Sequence, residues 1–128
     1  MTLQRRTFLA GMAAAAASTT LPSLARAQGY PEQLVKWVVP YPAGGGTDVI
    51  ARTLADAIRP ALGQSLVIDN RPGASTNIGA DLVAKSKPDG YTIMSADNAV
   101  LAFNEFLFGK LPFNPEKDFT YIGAIGRF

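Results

Sequence analysis

Pro40-Tyr41-Pro42-Ala43-Gly44-Gly45-Gly46-Thr47-Asp48 is the stretch from which the rest of the chain is read. The hydrophobic run Leu34 to Val39 leads into it, and a helix-like pattern, Val49 to Leu62, leads out. The spacing therefore predicts a strand-to-helix turn. Three consecutive glycines let the backbone adopt positive φ and approach a ligand closely. Their N–H groups, with the free N–H groups of a helix start, suit an anion. Ala43, Gly44, Gly45, Gly46, Thr47 and Asp48 are the first candidate binding residues. Tyr41 is suited either to cover a ligand or to pack at the strand end.

Outward from this loop, the pattern repeats. Leu34 to Pro40 reads as the first strand, with Val35, Trp37, Val38 and Val39 as β-formers. Its near-continuous apolar character suggests cover on both faces. Thr47 or Asp48 is placed to cap the following helix. Ile50, Leu54, Ile58 and Leu62 form one apolar stripe on it, and Gly63 stops it, unless Pro60 ends it earlier. Ser65 to Asp69 reads as the second strand. The small-residue loop Asn70 to Gly79 and a helix over Asn77 to Ser86 follow, with Ile78, Leu82 and Val83 as its buried face. Lys87-Pro88-Asp89-Gly90 is a turn. Tyr91 to Ala96 reads as the third strand. Asp97 or Asn98 would cap a third helix through Leu107, carrying Val100, Leu101, Phe103, Phe106 and Leu107. An irregular proline-containing segment leads to a fourth strand, Phe119 to Ile125.

The order β-α-β-α-β-α-β with short turns defines an α/β fold with a parallel sheet and right-handed crossovers. In such sheets ligands sit outside the carboxyl ends of the strands. The three strand-to-helix turns lie at that edge, so the expectation is a preformed site for a small anion built mostly from backbone.

Composition narrows the chemistry. The 128 residues suffice for one small domain. Neither cysteine nor histidine occurs, which excludes disulfides, the common metal ligands and the usual neutral-pH base. No cofactor is implied. The glycines match neither the Gly-x-x-x-x-Gly-Lys-[Ser/Thr] nor the Gly-x-Gly-x-x-Gly spacing, which argues against nucleotides. Asp48 reads best as a first-turn carboxylate worth about 0.3–1 kcal/mol to its helix. A catalytic Ser/His/Asp set is impossible without histidine, and the expectation is binding rather than catalysis.

The net charge of +2 belongs to the front of the chain. Residues 1–27 hold Arg5, Arg6 and Arg26 and no acid, so of the 12 basic residues 9 remain against 10 acidic ones. Residues 28–128 thus offer no electrostatic case for nucleic acid. The front has a basic start, a short apolar middle and the small-x-small pattern Ala25-Arg26-Ala27, as in an export signal. The pair Arg5-Arg6 followed by Phe8 and Leu9 is similar to a twin-arginine signal. The expectation is engagement with the export machinery, cleavage after Ala27 and a periplasmic destination in a Gram-negative bacterium. The ordinary secretory route is the alternative.

Five segments in order resemble one family. They are Tyr30-Pro31-Glu32-Gln33; Val39 through Asp48; Val67 to Ala74 with Asn77-Ile78-Gly79; Lys87 to Thr92; and Lys110 to Phe119. Together they are similar to the substrate-binding proteins of tripartite tricarboxylate transporters, the Bug family. The resemblance implies a periplasmic two-lobed protein that closes on a small carboxylate and delivers it to membrane subunits. Residues 28–128 would then be part of the first lobe of a periplasmic-binding-protein-like fold. It also implies that backbone amides of Ala43 to Asp48 and of Ala74, Ser75, Thr76 and Asn77, with ordered waters, hold the carboxylate. The residues themselves leave Ser75 and Thr76 either as hydroxyl donors to an anion or as caps of the second helix. Asn98 reads as a cap or a ligand contact.

Two departures stand out. The family's second loop usually reads Gly-Ala-Gly-Gly, whereas this chain has Gly73-Ala74-Ser75-Thr76. Members are also about twice as long. The alternative reading is a truncated, non-functional remnant that cannot bind by lobe closure.

Overall fold

The computed structural model describes residues 29–126. Leader features, namely Arg5, Arg6 and cleavage after Ala27, lie outside the described residues.

Strand β1, Val35–Val39, is central. Helix α1, Gly46–Leu62, carries the chain to strand β2, Leu66–Asn70. A single 3-10 turn, Ala74–Thr76, runs into helix α2, Asn77–Ala84. Strand β3, Thr92–Met94, follows. A wide π-type turn, Ala99–Phe103, then continues into the one-turn helix α3, Asn104–Leu107.

The sheet order is β2-β1-β3, all parallel. Trp37 lies opposite Ile68 on one side and Ile93 on the other. Helix α1 and helix α2 cover opposite faces. Ala51 and Ala55 pack with Trp37 and Val39, and Ala80 packs with Val100 and Phe113. Burial of Val35, Trp37, Val38 and Val39 agrees with a strand covered on both sides. Trp37 is core as expected, and its indole Nε1–H donates to Ser95 Oγ at 2.9 Å.

Gly63, in the left-handed region at φ +74, stops α1, and its N–H donates to Arg59 O. Pro60 lies inside the helix and does not end it.

The structure corrects several sequence expectations. Residues 119–126 form no strand. Apolar composition favours a strand only where a neighbour supplies ladder bonds, and no described segment pairs with these residues. The helix stripes also differ. Asp48, Ala51 and Ala55 are the buried residues of α1; of the expected stripe Leu54 packs on the core and Leu62 is half-buried, whereas Ile50 and Ile58 are exposed. Asn77, Gly79 and Ala80 are buried in α2, with Ile78 outside. Small side chains bring the helix axes close to the sheet, and a three-stranded sheet is too narrow to cover the large ones. Phe103, Phe106 and Leu107 are exposed for the same reason, with Val100 and Asn104 facing inward.

Candidate functional site

The three turns expected at the carboxyl edge are there. Helix α1 lies on one face of the sheet, while α2 and the π-type turn lie on the other. Thus the helix after the central strand leaves to the opposite side from the elements after both neighbouring strands, the arrangement that places a crevice at the strand ends.

The first loop is built around Gly44 and Asp48. Gly44 has φ +81, a conformation that glycine adopts without strain. Its N–H donates to Asp48 Oδ2 at 2.8 Å. Arg52 Nε donates to the same oxygen at 2.9 Å, and Asn70 Nδ2 donates to Asp48 Oδ1 at 3.0 Å. Asn70 Nδ2 also reaches Tyr41 O at 3.1 Å, and Arg52 donates to Asn70 Oδ1 at 3.1 Å. Asp48 is buried, and these donors, Arg52 foremost, hold its carboxyl well below the usual carboxylate range. The same pairing raises Arg52. The charge that would repel an anionic ligand is therefore paired locally with Arg52, one turn along α1.

That network decides which donors remain. Gly44 N–H is taken by Asp48, Gly45 N–H donates to Pro42 O at 3.3 Å, and Val49 N–H donates to Gly45 O at 3.0 Å. Gly46, Thr47 and Asp48 occupy the first turn of α1, where N–H groups have no intrahelical acceptor. The N-cap is Gly45, without a side-chain bond, so neither Thr47 nor Asp48 caps the helix. Ala43, Gly44 and Gly46 are exposed.

Tyr41 is half-buried and packs against the Trp37 cluster, and its hydroxyl donates to Asp97 Oδ2. Burial and the Asp97 carboxylate push the phenol up to about 12. The first loop is thereby tied to the loop after β3. Asp97 Oδ1 accepts from Ala99 N–H at 3.0 Å, so Asp97 caps the π-type turn and Asn98 is left exposed. An open groove is lined by Tyr41, Gly46, Thr47, Ser95, Asp97 and Asn98.

The second-loop residues Ala74, Ser75, Thr76 and Asn77 lie outside that groove, in a segment whose two ends meet the end of β1. Arg71 N–H donates to Val39 O at 2.8 Å. Gly79 sits so close to Pro40 that an added Cβ would stand 2.9 Å from Pro40 Cβ and 3.1 Å from Arg71 O. Ala74, Ser75 and Thr76 have φ of +47, +52 and +76. Left-handed backbone costs about 1–2 kcal/mol for each residue bearing a Cβ. Ser75 is exposed, whereas Thr76 and Asn77 are buried. Thr76 Oγ1 donates to Ser75 O, so its hydroxyl is spent within the loop and makes no cap bond to α2. Among the described residues no three His, Cys, Asp or Glu side chains gather as a metal site.

Sequence reasoning missed Arg52, Asn70, Gly79 and Asn104. Arg52 was visible as the i+4 partner of Asp48. Asn104 is a polar residue four positions after buried Val100, an exception within an apolar pattern. Asn70 and Gly79 act through contacts that only the folded chain makes.

The model of the tripartite tricarboxylate transporter family receptor, TctC, matches residues 50–128. The chain belongs to this family. A TctC-family assignment agrees with the relatives. A UPF0065 protein in the tcbD-tcbE intergenic region of Pseudomonas sp. strain P51 is 38% identical over 116 residues, 91% of this chain and 34% of its own length. BugT of Bordetella pertussis strain Tohama I is 41% identical over 98 residues, 76% of this chain and 30% of its own. Among solved structures, R. palustris Rpa4515 with adipate is 40% identical with a TM-score of 0.65, covering 68% of this chain and 29% of that one. MatC from Rhodopseudomonas palustris with bound malate is 38% identical with a TM-score of 0.62, covering 71% and 31%. The chain therefore spans about a third of the length of these relatives, a smaller share than the half that the sequence resemblance implied.

Proposed function

We propose that this TctC-family chain is the front part of a periplasmic solute-binding protein that captures a small carboxylate without catalysis. The captured ligand would pass to the membrane subunits of a tripartite tricarboxylate transporter. The leader would serve export by the twin-arginine route, with cleavage after Ala27.

The observation that carries this reading is the donor set of the first loop. Asp48 folds back onto Gly44, is paired with the Arg52 charge and accepts from Asn70, while the N–H groups of Gly46, Thr47 and Asp48 lack an intrahelical acceptor. A helix start of this kind attracts negative charge without a basic side chain. Tyr41 and Asn98 line the neighbouring groove, and the second loop, Ala74 to Asn77, would add its donors from the adjoining strand end. Two structural neighbours carry dicarboxylates, adipate and malate. Both fit recognition of one carboxylate by backbone.

Calorimetric titration of the protein as its host produces it, with malate and adipate, tests the reading. Saturable heat is expected for the free acids and not for their dimethyl esters. Equal binding of acids and esters, or heat from neither, overturns it.

A further inference from the structure

The second loop carries strain that its own residues do not relieve. Three successive residues with side chains sit in the left-handed region. Such conformations persist only where the surroundings over-determine them. The determining contact comes from another element. Asn104, at the start of α3, is 0% exposed. Its Nδ2 donates to Ser75 O at 2.7 Å and to Asn77 Oδ1 at 2.7 Å. Both N–H bonds of one buried amide thus end on the strained loop, one inside the left-handed run and one at the first residue of α2. Its Oδ1 has no hydrogen-bond partner among the described residues. The side chain is buried for its donors.

Asn77 is itself buried and its N–H donates to Ala74 O. The clamp therefore holds both ends of the peptide run. Without that donor the Ser75 carbonyl would lose its partner outside the loop, which favours rotation of the backbone out of the left-handed region.

We propose that Asn104 is the positioning residue of the second loop. It holds Ala74, Ser75 and Thr76 in their left-handed conformation and so sets the loop's backbone donors beside the first loop. Its bearing on ligand capture rests on the carboxylate reading above.

The test is Asn104→Leu, which keeps the branching at Cγ and removes the donors, followed by Asn104→Leu with Ser75→Gly. Backbone chemical shifts of residues 74–76 report their conformation without any ligand. In Asn104→Leu these shifts should leave their left-handed values while those of β1 and α1 stay. Malate affinity should fall about tenfold. Ser75→Gly should restore both in part, because Ser75 is exposed and glycine removes only the left-handed penalty. Unchanged 74–76 shifts in Asn104→Leu, or no recovery with Ser75→Gly, overturn the proposal. Should Asn104→Leu not fold, Ser75→Gly in the wild-type chain decides. Release of strain raises the thermal midpoint by roughly 2–5 °C, and an unchanged or lower midpoint overturns it. Shifts that move and recover while wild-type protein ignores malate and adipate would uphold the clamp and sink the carboxylate reading.

Discussion

Asp48 shows how one side chain changes the meaning of a motif. A glycine triplet before a helix suggests a bare set of N–H groups. The carboxylate closes one of them, at Gly44, and leaves the helix start free. Its folded carboxyl is held below the ordinary value, so the sign of its pH effect follows. A depressed folded pKa contributes stability above the unfolded value of about 3.9, and that stability is lost as pH falls below it. Asp48→Asn should therefore be less stable at pH 7, and its unfolding midpoint should change less between pH 5 and pH 3, a range of about two units around that value. Chemical denaturation at both pH values measures this. Parallel pH profiles for the two proteins would show that the Asp48 network adds nothing.

Elements meet here through small residues. Ala51 and Ala55 seat α1 on one face of the sheet, and Gly79 and Ala80 seat α2 on the other. Gly79 is the tightest of these contacts, because its neighbours are Pro40 and the Arg71 carbonyl rather than flexible side-chain ends. Gly79→Ala inserts a methyl there. Overpacking costs about 1–3 kcal/mol, against the about 1 kcal/mol that alanine gains inside a helix. The expected outcome is a lower unfolding midpoint, together with weaker malate binding because the two loops part. A rise in stability would mean that α2 shifts freely along Pro40. By the same logic, the expected stripes on α1 and α2 were met only in part, with Leu54 on the core and Ile50, Ile58 and Ile78 outside. Periodicity identifies the apolar side of a helix, but close approach to a narrow sheet selects alanine and glycine for contact.

At the scale of the molecule, a groove passes from the candidate site over Val49 and Ile50 of α1 toward Ile122 and Ile125. These four side chains are exposed, as is Ile58 at 41%. Apolar area of this extent favours association. Sedimentation of the protein should show concentration-dependent self-association, and Ile50→Lys with Ile58→Lys should shift it toward monomer. A wild-type protein that stays monomeric across the same range would show that the groove is covered.

Much of the fold was legible along the chain. Alternating apolar runs and helical patterns, with turn residues between them, determined the parallel α/β order and the position of all three loops at one edge. The Gly44-Gly45-Gly46 run marked the strand-to-helix turn on which the candidate site is built. Tertiary structure decided the rest. It placed β1 between β2 and β3, left residues 119–126 without a ladder partner among the described residues, and turned Phe103 and Phe106 outward. It also joined Asn70 to Asp48 across 22 residues and Asn104 to Asn77 across 27. Local pattern records what each segment prefers for itself. Which strand pairs with which, and which buried amide meets which carbonyl, depends on residues far apart in sequence that only a folded chain brings together.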